Sequence, residues 1–223
     1  MLESFVRSGK EARYESLSSH AATRLSYRAH DVHSPRSQTV VSFDDFELAL
    51  AHAYSTNIPN GYQGLNWTNF GVLNVVLMSN SLGYSVGYGY GMTSLSNVAY
   101  NRFGNPAEID ARGTNFNFLS AYLTAAWNSN LNIEVQGFRD TNLVYDETKV
   151  VSATSPSLFT FDYLNIDRLY FNSYGGEPAF GPGPEENFVM DDFMFEFIPE
   201  PSSLLLTALG VVTLWASVKR KRR

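Results

Sequence analysis

Between residues 40 and 197 no apolar pattern of helical period persists. Short apolar and aromatic runs are instead cut every few residues by Gly, Asn or Pro. That punctuation directs the chain towards an antiparallel β fold. The plainest run is Leu131-Asn132-Ile133-Glu134-Val135-Gln136, apolar at odd positions and polar at even ones, which is the period-two pattern of a strand buried on one face. Comparable runs occur at 41–46, 67–73, 115–127, 143–151, 157–163, 166–171 and 188–197. With turn signals between them (Asn60-Gly61, Asn128-Ser129-Asn130, Gly175-Gly176), they predict an all-β, two-sheet, jelly-roll-like β-sandwich over residues 39–198. Its expected core is Ile109, Phe116, Phe118, Leu123, Trp127, Phe159, Phe161, Leu169, Phe193 and Phe195. The Tyr/Gly alternation at 84–90 and the Gly/Pro-rich stretch at 174–184 interrupt the regularity.

Composition narrows the function. A hydrophobic share of 44% with 14% aromatics in 223 residues suits one globular domain. The net charge of −6 conceals an uneven distribution: residues 41–198 hold five Lys/Arg against seventeen Asp/Glu, a net charge of −12. Phosphate backbones would be repelled, so nucleic acid is excluded as a partner. Without cysteine there is no disulfide framework and no thiol nucleophile. His52 is the only imidazole between residues 39 and 198, and neither a nucleophile elbow nor a phosphate loop accompanies it. The domain is therefore expected to be non-enzymatic, the alternative being a glycan-acting hydrolase that uses carboxylates such as Asp45 and Asp191.

The C-terminus has three ordered parts: Pro199-Glu200-Pro201, an apolar run over residues 203–218, and the basic cluster at 219–223. Pro201 breaks the preceding structure, the run is of helix length, and the cluster stops transfer on the cytoplasmic side. At about 1.5 Å per residue the run reaches roughly 24 Å, short of the ~30 Å hydrocarbon core, which suits a temporary anchor. This tail resembles the PEP-CTERM sorting signal. The resemblance implies Pro199, Glu200 and Pro201 as a motif recognised by exosortase, a short transmembrane helix at 203–218, and removal of the tail after export. It further implies a bacterial envelope protein, membrane-anchored before processing and afterwards at the cell surface or in exopolysaccharide.

The N-terminus does not match that route. Residues 1–38 scatter Ser, Arg and His among short apolar pairs and lack the apolar stretch of roughly 7–15 residues that a secretory signal needs. They are expected to be a disordered or mis-placed extension. The central domain, for its part, is similar to a recurrent extracellular domain of PEP-CTERM and some fungal secreted proteins, without an assigned activity. The similarity rests on Phe43-Asp44-Asp45, the stretch from Ile58 to Trp67, Leu123-Thr124-Ala125-Ala126-Trp127-Asn128 and Phe188-Val189-Met190-Asp191-Asp192-Phe193.

Two candidate sites follow. Asp44-Asp45 and Asp191-Asp192 open and close the domain. By strand parity Asp45 shares a side with Val41 and Phe43, and Asp191 shares one with Val189, Phe193 and Phe195, so both carboxylates are expected to point inwards. A buried carboxylate needs a cation or several hydrogen-bond donors. Structural calcium, which collects hard oxygen ligands, is one answer, by resemblance to first-strand and last-strand acids in MAM-like and carbohydrate-binding modules. Backbone N–H donors in turns are the other. For sugars, Tyr62, Asn66, Trp67, Tyr88 and Tyr90 offer flat apolar faces beside amides, the combination that stacks on sugar C–H faces and meets hydroxyls.

Overall fold

A computed structural model describes residues 37–48, 54–82, 85–181 and 185–198. The N-terminal extension up to residue 36, the motif at 199–201, the apolar run at 203–218 and the basic cluster lie outside the described residues. No helix among the described residues is long and apolar enough to cross a membrane.

The strands are β1 (Thr39–Val41), β2 (Ser55–Asn57), β3 (Asn66–Thr68), β4 (Phe70–Asn74), β5 (Asn97–Asn101), β6 (Ala107–Asp110) and β7 (Phe116–Ala125). They continue with β8 (Asn128–Ser129), β9 (Leu131–Arg139), β10 (Asn142–Val151), β11 (Ser157–Ile166), β12 (Arg168–Tyr174), β13 (Glu177–Pro178) and β14 (Phe188–Phe197). Two short helices, α1 (Val75–Leu82) and α2 (Gly87–Tyr90), join them. One sheet runs β11-β7-β14-β5-β4-β2 with β1 added on β14; the other runs β10-β9-β12-β6-β3; β8 and β13 form a separate ribbon. Pairing is antiparallel and nested, β5 with β14, β6 with β12, β7 with β11 and β9 with β10. The fold is thus a two-sheet β-sandwich, in line with the alternating runs, and its first and last strands, β1 and β14, lie side by side.

Between the sheets lies an aromatic core. Phe118 stacks on Phe193 at 4.9 Å, and Trp67 meets Phe70 and Phe193 edge-on at 5.4 and 5.7 Å. Fully burying each such side chain stabilises the fold by roughly 1.5–3 kcal/mol. Eight of the ten expected core residues are buried; Phe159 is half-buried and packs against this core, and Trp127 is half-buried and packs against a second apolar cluster. The run at 67–73 is not one strand. Asn69, at φ 57°, sends β3 into one sheet and β4 into the other, a left-handed step that Asn takes at lower cost than most residues.

That second cluster covers the far side of the seven-stranded sheet. There Leu73, Val98 and Val189 pack beneath Val75, Met78, Val86 and Tyr88, on or beside the two helices that periodicity did not reveal. The Tyr/Gly pattern forms α2 over residues 87–90, which sits so close to the sheet that a Cβ on Gly87 would lie 1.8 Å from the Ala125 carbonyl oxygen. Glycine is the residue that permits this approach.

Candidate ligand-binding site

Asp44, Asp191 and Asp192 all meet the segment from Thr93 to Asn97, whereas Asp45 stands apart from it. β1 stops at Val41, and Phe43 adopts φ 63°, so strand parity no longer governs Asp44 and Asp45. Asp45 is exposed and accepts the Tyr62 hydroxyl at 2.6 Å. In β14 the register slips after Asp191, with Asp192 at φ 47°. The bulge puts Asp191 on the outer side with Val189, while Phe193 and Phe195 turn to the inter-sheet core. Asp191 is nevertheless fully buried, because the segment after α2 folds over it.

That segment is held by its backbone. Thr93 N and Ser94 N donate to Asp191 Oδ2 at 2.7 and 2.9 Å, Leu95 N donates to Asp44 Oδ2 at 3.1 Å, and Ser96 N and Asn97 N donate to Asp44 Oδ1 at 2.8 and 3.0 Å. Five consecutive amides are thereby satisfied by two carboxylates from opposite ends of the chain. The Thr93 hydroxyl adds bonds to Asp191 and Asp192, and Asp192 N donates to Asp191 Oδ1 at 2.9 Å. Burial pushes the Asp191 carboxyl above its ordinary value, against the pull of these donors. For Asp44 burial also pushes upwards, but the Ser96, Asn97 and Leu95 amides outweigh it, and the carboxyl ends below its ordinary value.

The lone pairs a cation would use are therefore largely engaged by N–H and O–H donors. Among the described residues no group of three or more His, Cys, Asp or Glu is placed to hold a metal ion. A clamp of this kind predicts a melting temperature that a strong chelator leaves unchanged; bound structural calcium predicts a fall. Calorimetry with and without chelator, on protein checked for retained metal, separates the two. The lowered Asp44 carboxyl also sets a pH dependence. Its stabilisation is complete above the ordinary value of 3.8 and is lost as pH falls through the lower folded value. Asp44→Asn is expected to flatten the acid limb of a melting-temperature profile below about pH 4.

The five residues expected to bind sugar are not one site. Trp67 is buried in the inter-sheet core, with Nε1 donating to the Tyr62 carbonyl at 3.0 Å. Tyr62 packs on that core against Phe46 at 4.8 Å, its hydroxyl pushed up by burial and by Asp45. Asn66 belongs to β3, beside Asp110. Tyr88 belongs to the outer cluster on the other sheet and is buried, whereas Tyr90 is exposed and stacked on Phe180 at 5.8 Å.

Tyr88 does, however, reach a cleft. An opening of about 530 Å³ is lined by Ser55, Tyr88, Tyr100, Arg102, Phe103, Glu185 and Asn187, within the ~300–1,000 Å³ range of small-molecule sites. Tyr88 and Tyr100 meet edge-on at 5.6 Å. Burial raises the Tyr88 phenol out of the titrating range, so it remains a neutral hydroxyl. Phe103 is 77% exposed and holds φ 59°, a costly backbone state for a bulky aromatic residue. The Arg102 guanidinium lies 4.9 Å from its ring centroid. Neither Arg102 nor Glu185 forms an ion pair among the described residues.

The walls are stitched in place. Asn69 Nδ2 donates to the carbonyls of Arg102, Asn105 and Pro106, bracing the turn that carries Phe103. Buried Asn101 accepts Phe188 N at 2.7 Å on its side chain, while its carbonyl accepts Asn187 Nδ2, tying that turn to the start of β14. An aromatic ring left exposed on a braced and strained turn, beside a cation and an acid that form no ion pair among the described residues, forms a pre-organised amphipathic site. The signal available in the sequence was Arg102-Phe103-Gly104-Asn105-Pro106, an aromatic residue set among turn formers with no apolar neighbour to pack against.

No family model matches the chain, and no curated protein matches it. Solved structures with a similar course include a DUF4465 family protein from Bacteroides ovatus, at 12% identity and a TM-score of 0.43, covering 74% of this chain and 91% of that one. Another is the family 32 CBM of NanJ from C. perfringens in complex with galactose, at 12% identity and a TM-score of 0.33, covering 65% and 99%. A third is the CBM51-2 and INT domains of ZmpB from Clostridium perfringens in complex with GlcNAc, at 12% and 0.34, covering 79% and 35%. These likenesses are distant, and no residue or activity is carried over from them.

Proposed function

We propose that this chain is an exported, exosortase-sorted protein of the bacterial envelope or extracellular matrix, whose jelly-roll-like sandwich binds exopolysaccharide or another envelope glycan without catalysis. The observation that carries the binding reading is Phe103: a ring 77% exposed, held at φ 59° by a braced turn, at the mouth of a cleft that also presents Tyr100, Arg102, Glu185 and Asn187. An exposed flat ring supplies the stacking face for sugar C–H groups, and the surrounding donors and acceptors meet hydroxyls. The test is titration against a glycan array and the host's own matrix polysaccharide, comparing wild type with Phe103→Ala. Absence of binding throughout would overturn the reading.

The hydrolase alternative has less support. Asp191 is sealed and its oxygens are occupied, Asp45 is bonded to Tyr62, and neither lines the cleft. Glu185 is the one acid among the cleft's described lining residues, whereas glycoside hydrolysis ordinarily uses two carboxylates flanking the bond.

Sorting is supported by the order of Pro199-Glu200-Pro201, the apolar run and the basic end. A secreted reporter fused to residues 198–223 is expected to shorten only in a host with exosortase. Changing Pro199 and Pro201 to Ala should block shortening while leaving membrane insertion intact. A fusion that stays full-length in both hosts would make the segment a plain anchor.

A further inference from the structure

We infer that the cleft takes a neutral sugar at a chain end, and that Glu185 is the residue that rejects anionic sugars; this rests on the glycan-binding reading above. Arg102 and Glu185 line the same opening yet form no ion pair with each other or with any described residue, the guanidinium lying against one face of the Phe103 ring. Each therefore keeps its polar atoms for a ligand. The guanidinium is a fork of donors without an acceptor, and the carboxylate is an acceptor without a donor. Adjacent hydroxyls of a neutral sugar complement both at once, because each hydroxyl accepts through its oxygen and donates through its hydrogen. Tyr100, Tyr88 and Asn187 supply further neutral partners, and the free face of Phe103 takes the C–H side of the ring.

A hexuronic acid would satisfy Arg102 through a charge-assisted pair, but it would set its carboxylate against Glu185 in the same opening. The surrounding domain adds to that repulsion, with a net charge of −12 over residues 41–198 from five basic and seventeen acidic residues. The long-range part is screened within about 8–10 Å at physiological salt, whereas a direct contact with Glu185, exposed as it is, lies within that distance and is screened less. Local discrimination thus falls to this one side chain. The volume, about 530 Å³, has room for one or two sugar rings within the range of small-ligand sites, and a chain end is the part of a glycan that fits it.

The experiment is calorimetric titration of the full-length chain at 0.15 M salt, with methyl glycosides of neutral hexoses and of the hexuronic acids sharing their ring configuration. Wild type is expected to prefer a neutral glycoside by about tenfold or more over its acidic counterpart. Glu185→Gln should shrink that preference to within a few-fold, while Glu47→Gln, an exposed charge change away from the cleft lining, should leave it unchanged. Equal or better binding of the hexuronic acid to wild type would overturn the inference and leave glycan binding standing. So would a preference that survives Glu185→Gln. Binding of neither class would overturn the glycan-binding reading, and the inference with it. Binding of long chains without any binding of the monomeric glycosides would overturn the chain-end assignment.

Discussion

Asp191→Ala is expected to lower the melting temperature by roughly 10 °C, the largest stability loss of any single change considered for this domain. The side chain is fully buried and accepts the amides of Thr93, Ser94 and Asp192 together with the Thr93 and Ser94 hydroxyls. Truncation leaves those donors facing a cavity. A buried donor that loses its acceptor costs about 1–3 kcal/mol. Water entering the space offsets part of this, so a total near 3–5 kcal/mol is expected, at the upper end for single substitutions. For a domain of this size each kcal/mol moves the midpoint by roughly 2–4 °C. Asp191→Asn keeps one acceptor oxygen but turns an amide donor towards other donors, and should fall between the two. Hydrogen exchange at residues 93–97 should rise first, since Asp44 then holds the segment from one side only. A shift below about 3 °C would mean that the carboxylate satisfies these amides without stabilising the fold.

How far this was legible depended on whether the backbone kept a regular period. The alternation of Leu131 to Gln136 and the bounds of β14 could be read directly, because a half-buried strand imposes its pattern on the residues themselves. Asp191 was recognisable as an acid that needs partners, yet its side was misassigned, because parity counts residues and the bulge at Asp192 inserts one. Phe43 did the same to Asp45. Asn69 split an apparently continuous strand between the sheets, a change that costs Asn little and leaves no mark on hydrophobicity. The partners of Asp44 and Asp191 are backbone amides of Thr93 to Asn97, which every sequence has and none advertises. Residue type alone marks Tyr62, Trp67, Tyr88 and Tyr90 as sugar-stacking candidates, but exposure decides the matter: the core takes Trp67, and the outer cluster takes Tyr88 except at the edge of the cleft. Phe103 carries no decisive mark in the sequence, because one aromatic residue in a turn resembles any other until its φ and its surroundings are known.

That backbone state yields the prediction in which stability and function part company. Phe103→Ala removes an exposed ring and should reduce glycan affinity by roughly tenfold to a hundredfold, the loss of about 1.5–3 kcal/mol of stacking contact. Its melting temperature should stay close to wild type, since a ring 77% exposed contributes little packing and Ala is no better suited than Phe to φ 59°. Phe103→Gly should lose binding equally and melt higher, because glycine reaches the left-handed region without the ~1–2 kcal/mol penalty of other residues, less its own entropic cost of ~0.5–1. A turn kept only for its shape would be better served by Gly at this position, as it is by Gly104 beside it at φ 65°. The strain at Phe103 is maintained by Asn69 bonding to three carbonyls of the turn, and what it maintains is the presentation of a ring to solvent. Matched binding and melting data on the two variants test this directly. If Phe103→Gly melts lower than Phe103→Ala, the ring's backbone is unstrained in solution; if either variant retains wild-type affinity, the stacking platform lies elsewhere on the domain.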